Sequence, residues 1–137
     1  YQPSFKTTWG RALVANGDVE RGRLVLLDAL EDFRRFRPDN HPELSGTRLG
    51  LGMAYRLQGR LRESERYLRE ARASVAATSM LSVMASIAGE LGMTLRASGR
   101  TTEANALLNE SYTSFKTRLG DAHPYTIQAL ARLRGGE

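Results

Sequence analysis

The sequence predicts an all-α domain, an α-solenoid built of stacked antiparallel helix pairs. Three observations predict it. A Gly-x6-Gly motif occurs at Gly10/Gly17, Gly52/Gly59 and Gly92/Gly99, spaced 42 and then 40 residues apart. Apolar residues recur three and four positions apart on both sides of each second glycine, the period of an amphipathic helix. No stretch alternates apolar and polar with period two, so no sheet is expected. The expected organisation is one domain over residues 1–137, with units at about 1–38, 39–78 and 79–120 and a capping helix at 122–134.

Eight columns hold register across the three copies. Before the first glycine stand Trp9, Leu51 and Leu91; three after it stand Leu13, Tyr55 and Leu95. Beyond the second glycine come Gly22/Ser64/Ala104, Leu26/Leu68/Leu108, Ala29/Ala71/Ser111 and Phe33/Val75/Phe115. Each column has a physical reason. The second glycine can take positive φ where the first helix ends. The first glycine and the small residue five beyond the second let two helices approach closely. The large residues nine and sixteen beyond it fill the space between neighbouring hairpins. A helix pair of this kind cannot bury its apolar face alone and must stack.

About seven helices follow in order: Pro3–Asn16, Val19–Phe36, Pro42–Gln58, Leu61–Ala77, Ser79–Ser98, Thr102–Arg118 and Pro124–Arg134. Asp18 and Thr101 are expected to cap helix starts by accepting from free amides. Pro42 and Pro124 fall in first helical turns, where proline is tolerated. His41 and His123 occupy the same repeat position, 82 residues apart. The middle junction, Ala77-Thr78-Ser79-Met80, lacks His-Pro and is two residues shorter. The final segment begins a fourth unit but stops before the turn glycine of that register, which suits a cap over the last apolar face.

Composition bounds the function. The 137 residues are 41% hydrophobic and 26% charged, which supports a packed core. No apolar run reaches membrane-spanning length. With no cysteine, disulfides, thiol catalysis and Cys-ligated zinc are excluded. That fits a reducing compartment, and a cytoplasmic location is the expectation. The start, Tyr1-Gln2-Pro3-Ser4, lacks an initiator Met and any signal-peptide pattern, so the chain reads as a piece of a longer protein. Net charge is +5, and Lys6 and Lys116 are the only lysines among the basic residues. Arginine-rich composition suits carboxylate or phosphate partners, although a GC-rich genome gives the same bias.

The columns resemble the tetratricopeptide repeat. Leu51-Gly52, Tyr55, Gly59, Ser64, Leu68 and Ala71 fill its consensus places, with weaker copies at Trp9–Ala29 and Leu91–Ser111. The usual family period is about 34 residues. The longer period here, with Gly120-Asp121-Ala122-His123-Pro124-Tyr125-Thr126 between units, resembles the kinesin-light-chain variant, which also occurs in bacterial signalling proteins. Pro38-Asp39-Asn40-His41-Pro42-Glu43-Leu44 matches in part. The resemblance implies a right-handed superhelix whose first helices line a concave groove that grips a peptide or helix of a partner protein.

Carrying the family register across places Arg11, Met53 and Met93 in one groove column and Val14, Arg56 and Arg96 in a second. Thr7, Leu49 and Gly89 lie further back. The expected peptide-binding groove is therefore Arg11, Val14, Leu49, Met53, Arg56, Met93 and Arg96. Arginine grips carboxylates in a bidentate manner and Met adapts to varied surfaces. An acidic or amphipathic peptide is the expected ligand. Glu90 lies beside Arg56 and Arg96, and pairing with one of them would reduce the charge on offer. The family's carboxylate clamp is absent, because Thr8, Gly50, Glu90, Arg11 and Met53 hold its places.

Other functions find less in the sequence. No catalytic residues, metal site or cofactor is expected. The two histidines have loop positions suited to capping, and no His-x3-His or His-Glu-x-x-His occurs. Gly46-Thr47-Arg48-Leu49-Gly50-Leu51-Gly52 lacks the Lys-Ser/Thr of a phosphate loop, and no strand precedes it. The alternative is nucleic-acid binding through Arg34, Arg35 and Arg37, or Arg60, Arg62, Arg66 and Arg69. Glu63, Glu65 and Glu70 intersperse the second run, and no base-reading polar code repeats per unit. Self-association through exposed apolar ends is a third expectation.

Overall fold

The computed structural model describes residues 3–36, 44–75 and 81–137, with side chains from Phe5 onward. The described residues form seven helices: α1 (Pro3–Ala15), α2 (Val19–Phe36), α3 (Leu44–Leu57), α4 (Leu61–Val75), α5 (Leu81–Ala97), α6 (Thr101–Leu119) and α7 (Pro124–Leu133). They contain no strand. The loops carrying His41 and Ala77–Met80 lie outside the described residues, as does Pro42.

The helix pairs close at their turn glycines. Gly17, Gly59 and Gly99 have φ of 93°, 75° and 83°. Around each, two backbone bonds recapture the last free carbonyls: Asp18 N–H to Leu13 O at 2.9 Å with Gly17 N–H to Val14 O at 3.1 Å, and their counterparts at Arg60 and Arg100. This is the Schellman arrangement, which needs a left-handed residue just past the helix end. The same turn corrects the expected cap at Thr101. Arg100 occupies the N-cap place without a side-chain bond, its carbonyl accepting from Ala104 N–H at 3.1 Å, and Thr101 is already helical. Asp18 occupies the equivalent place, its carbonyl accepting from Gly22 N–H at 3.0 Å while its carboxylate lies 3.8 Å from Arg21. At α7 the proline stands at the helix start, and Nδ1 of His123 accepts from Tyr125 N–H at 3.1 Å.

The first glycine of each motif sits against the leucine of the second helix. A Cβ at Gly10, Gly52 or Gly92 would lie 2.6, 2.4 or 2.8 Å from Cγ of Leu26, Leu68 or Leu108. These leucines therefore pack inside their own hairpin. Leu26 also reaches the next one, since a Cβ at Gly50 would meet its Cδ1 at 2.9 Å. Burial then runs continuously along the chain. One cluster gathers Leu26, Leu30 and Phe33 with Leu51 and Tyr55; the next gathers Leu68, Ala71 and Val75 with Ile87, Leu91 and Leu95. Helix α7 packs Ala129 against Ala85 and Phe115.

Helix α1 differs. Leu51 and Leu91 are 0% exposed because the second helix of the preceding pair covers them, whereas Trp9 in the same column is 42% exposed. Phe5 is also exposed, and its counterparts Thr47 and Ile87 are fully buried. Among the described residues no helix covers this outer face of α1.

Candidate functional site

The stacking of the helices creates a concave wall. Backbones of α1 and α3, α3 and α5, and α5 and α7 approach one another. Among the described residues, those of α2 and α4, or α4 and α6, do not. Helices that touch follow the shorter arc, so α1, α3, α5 and α7 line the inside and α2, α4 and α6 the outside.

Side chains stitch the outside instead. Arg72 on α4 takes both oxygens of Glu110 on α6 at 2.9 Å each. Arg69 reaches Glu103 at 3.0 Å, and Arg100 reaches Glu65 at 2.8 Å. Arg60 pairs with Glu63, and Arg66 lies over the ring of Tyr67. Much of the arginine run that suggested phosphate contacts is thus engaged within the molecule.

The inside holds a cavity of about 420 Å³ between α1 and α7. Its walls come from Thr8, Arg11 and Ala12 on α1, Leu49 and Met53 on α3, Ser86, Gly89 and Glu90 on α5, and Ser111 and Phe115 on α6. Tyr125, Gln128, Ala129 and Arg132 complete it from α7. Polar and charged side chains, eight in all, alternate on this wall with the apolar surface of Leu49, Met53 and Phe115, so a bound segment would meet both apolar contact and hydrogen-bonding groups.

A charged network forms its floor. Glu90, almost wholly buried, accepts from Nε of Arg56 at 2.9 Å through one oxygen and pairs with Nη1 of Arg132 at 2.9 Å through the other. The second side of Arg56 reaches Glu137 at 2.9 Å. Burial works against the charge on Arg56, but the Glu90 and Glu137 carboxylates outweigh it and leave its pKa raised. Arg96 donates to backbone carbonyls, to Arg132 O at 2.6 Å and Gly136 O at 2.7 Å, and to the sulfur of Met93 at 3.1 Å. Arg56 and Arg96 thus converge on the segment that ends α7. A fourth Schellman-type turn shapes that segment, with Gly135 at φ 99°.

The seven residues of the expected groove divide by depth. Arg11 and Met53 line the cavity. Leu49 contributes to its wall while being 1% exposed. Arg56 and Arg96 lie on the same side but are engaged internally. Val14 is a core residue against Gly22, where a Cβ would meet its Cγ2 at 2.6 Å, and Met93 is likewise buried. Sequence reasoning missed Arg132, Phe115 and Tyr125. A signal for Arg132 existed: it continues the column Thr8, Gly50, Glu90 into the fourth unit, 82 residues beyond Gly50.

Among the described residues no three His, Asp or Glu side chains gather as a metal site. His123 caps α7 and lies edge-on to the Tyr125 ring, 5.0 Å between centroids. No described helix is long and apolar enough to cross a membrane.

Comparison with known proteins agrees with this architecture. The nearly identical TPR-like repeats of a Podosopora anserina kinesin light chain superpose with a TM-score of 0.80 at 22% identity, over 97% of this chain and 65% of theirs. A substituted variant of the same repeats gives the same values. BtubC (BKLC) from P. vanneervenii superposes with a TM-score of 0.71 at 17% identity, over 90% of this chain and 50% of that one. The chain therefore spans between half and two thirds of these structures. No curated protein sequence matches it. The sequence profile described as tetratricopeptide repeat matches residues 45–75 and 84–125, more than half of the chain. With its helix pairs, turn glycines and kinesin-light-chain-like stacking, this chain belongs to the tetratricopeptide repeat family.

Proposed function

We propose that the chain is the protein-binding part of a larger protein, serving as sensor or scaffold, and that a peptide or helix of the partner occupies the concave cavity. Repeats of this family generally bind proteins or peptides and typically act as non-enzymatic scaffolds. The observation that carries the reading is the cavity itself, about 420 Å³ walled by Leu49, Met53 and Phe115 with Arg11 and Arg132 among them. Apolar walls supply affinity by burial, and the few charges supply orientation. The surplus of cations over carboxylates on this wall favours an acidic or amphipathic segment.

Filling the cavity tests the reading. Ser86 lines it from α5 and is partly exposed, so Ser86→Trp leaves the core intact. A peptide selected from a random 12-residue display library against the wild type is expected to bind this variant at least tenfold more weakly, with an unchanged far-UV circular dichroism spectrum. Equal binding would place the recognition surface elsewhere.

A further inference from the structure

Four arginines stand on or beside the concave wall, and they are not equivalent. Arg56 is held by Glu90 and Glu137, Arg132 by Glu90, and Arg96 by two backbone carbonyls. Arg11 is partly buried in the cavity, and among the described residues it has no hydrogen-bond or ion-pair partner. A guanidinium carries five donors and stays charged in proteins. Leaving it partly desolvated without an acceptor is costly, and a ligand that supplies one recovers that cost.

The side chain is also guided. Its stem lies along α3 over two glycines one turn apart. A Cβ at Gly50 would meet Arg11 Cγ at 2.8 Å, and one at Gly46 would lie 3.6 Å from Nη1. Glycine inside a helix is disfavoured by about 1 kcal/mol relative to alanine, and at Gly50 it opens the track that Arg11 follows. Burial lowers the pKa of the Arg11 guanidinium, and Tyr125 across the cavity on α7 offsets this only in part. A side chain restrained before binding loses less entropy when it binds.

Resting on the reading of the cavity as a peptide site, we propose that Arg11 is its anion-receiving residue: the carboxylate of an acidic peptide segment lies on the Arg11 guanidinium, and a neighbouring apolar side chain fills the space between Met53 and Phe115. The charges agree. Two cations, Arg11 and Arg132, face one carboxylate, Glu90, and Glu90 already serves both Arg132 and Arg56. A basic segment would meet this excess unfavourably. A nucleic-acid backbone would satisfy Arg11 but leave the Leu49 and Met53 walls without a partner.

The test uses labelled 12-residue peptides that place Leu, Met or Phe beside Glu or Asp, each matched by its Gln or Asn counterpart. The tightest-binding pair is titrated against wild type, Arg11→Gln and Arg11→Lys, with circular dichroism as the check on folding. The wild type is expected to prefer the acidic member by about tenfold or more, the discrimination typical of a charge-assisted bond. Arg11→Gln is expected to lose that preference while still binding the amide peptide, and Arg11→Lys to keep part of it. If Arg11→Gln keeps the full preference, the role of Arg11 is overturned while the peptide site stands. If the wild type binds no peptide of the set, site and role fall together. Tighter binding of an oligothymidylate than of any peptide at physiological salt would overturn the role in favour of a nucleic-acid partner.

Discussion

Nε of Arg56 on α3 donates to Oε1 of Glu90 on α5 at 2.9 Å, tying two neighbouring helix pairs together across the floor of the cavity. The other oxygen of Glu90 holds Arg132 on α7 at 2.9 Å, so one carboxylate links three helices. Removing one member of a buried ion network leaves uncompensated charge and costs about 3–5 kcal/mol. Glu90→Ala is therefore expected to be among the most destabilising single changes, read as a lower midpoint in urea. Replacing the whole network with Arg56→Met, Glu90→Leu and Arg132→Met is expected to recover most of the loss, because it removes the charges together. A triple variant no more stable than Glu90→Ala would show that the network also performs packing that apolar side chains cannot reproduce.

Glycines in the same helix are expected to respond oppositely to alanine. A Cβ at Gly52 would lie 2.4 Å from Cγ and 2.5 Å from Cδ2 of Leu68, a fully buried leucine with no free space to move into. Overpacking of this kind costs about 1–3 kcal/mol. At Gly46 the nearest atom is the tip of Arg11, 3.6 Å away, so Gly46→Ala is expected to be stabilising by up to about 1 kcal/mol through helix propensity. Thermal melts of the two variants check this, and a stabilised Gly52→Ala would contradict the close approach of α3 and α4.

Acid sensitivity follows from the surface carboxylates. Glu20 bonds Arg23 and Gln58, which hold its pKa down at about 2 against an ordinary 4.5. Arg69 likewise lowers Glu103. A carboxyl whose pKa falls on folding stabilises the native state above its unfolded pKa and stops doing so as pH drops through the folded value. Stability is thus expected to decline between about pH 4.5 and 2. In Glu20→Gln the fall in Tm from about pH 5 to about pH 3 is expected to be smaller than in the wild type.

The pairs on the outer surface are expected to matter less singly. Arg72 and Glu110 are each more than a third exposed, and solvent screens such pairs to about 0.2–1 kcal/mol. Arg72→Ala should shift Tm only slightly, and about 1 M NaCl should erase most of the difference. A loss of several kcal/mol that persists in salt would mean that the separation of α4 and α6 depends on this pair.

The sequence disclosed the scaffold more readily than the site, for physical reasons. Close approach demands small residues at fixed spacing, and a left-handed turn favours glycine, so Gly10, Gly22, Gly17 and their counterparts announce the hairpins without any knowledge of packing. Depth is not encoded in the same way. Register put Val14, Leu49 and Met93 beside Arg11 and Met53, but how far neighbouring helices close over a position depends on every side chain around it. Val14 sinks because Gly22 offers no Cβ. Pairing is harder still. Arg56 and Arg96 meet Glu137 and Gly136 only because α7 folds back across the inner face, a contact between residues 81 and 40 positions apart. On the outer face of α1, Phe5 and Trp9 stand exposed because no described helix packs there, which the repeat register by itself does not reveal.

Backbone amide shifts recorded during titration with the preferred acidic peptide would decide most directly whether the concave wall is the recognition surface. Changes are expected at Arg11, Met53, Gly89 and Gln128, on four different inner helices, with the outer faces of α2, α4 and α6 undisturbed. Shifts gathered instead on Arg69, Arg72 and Glu110, or confined to Phe5 and Trp9, would contradict it.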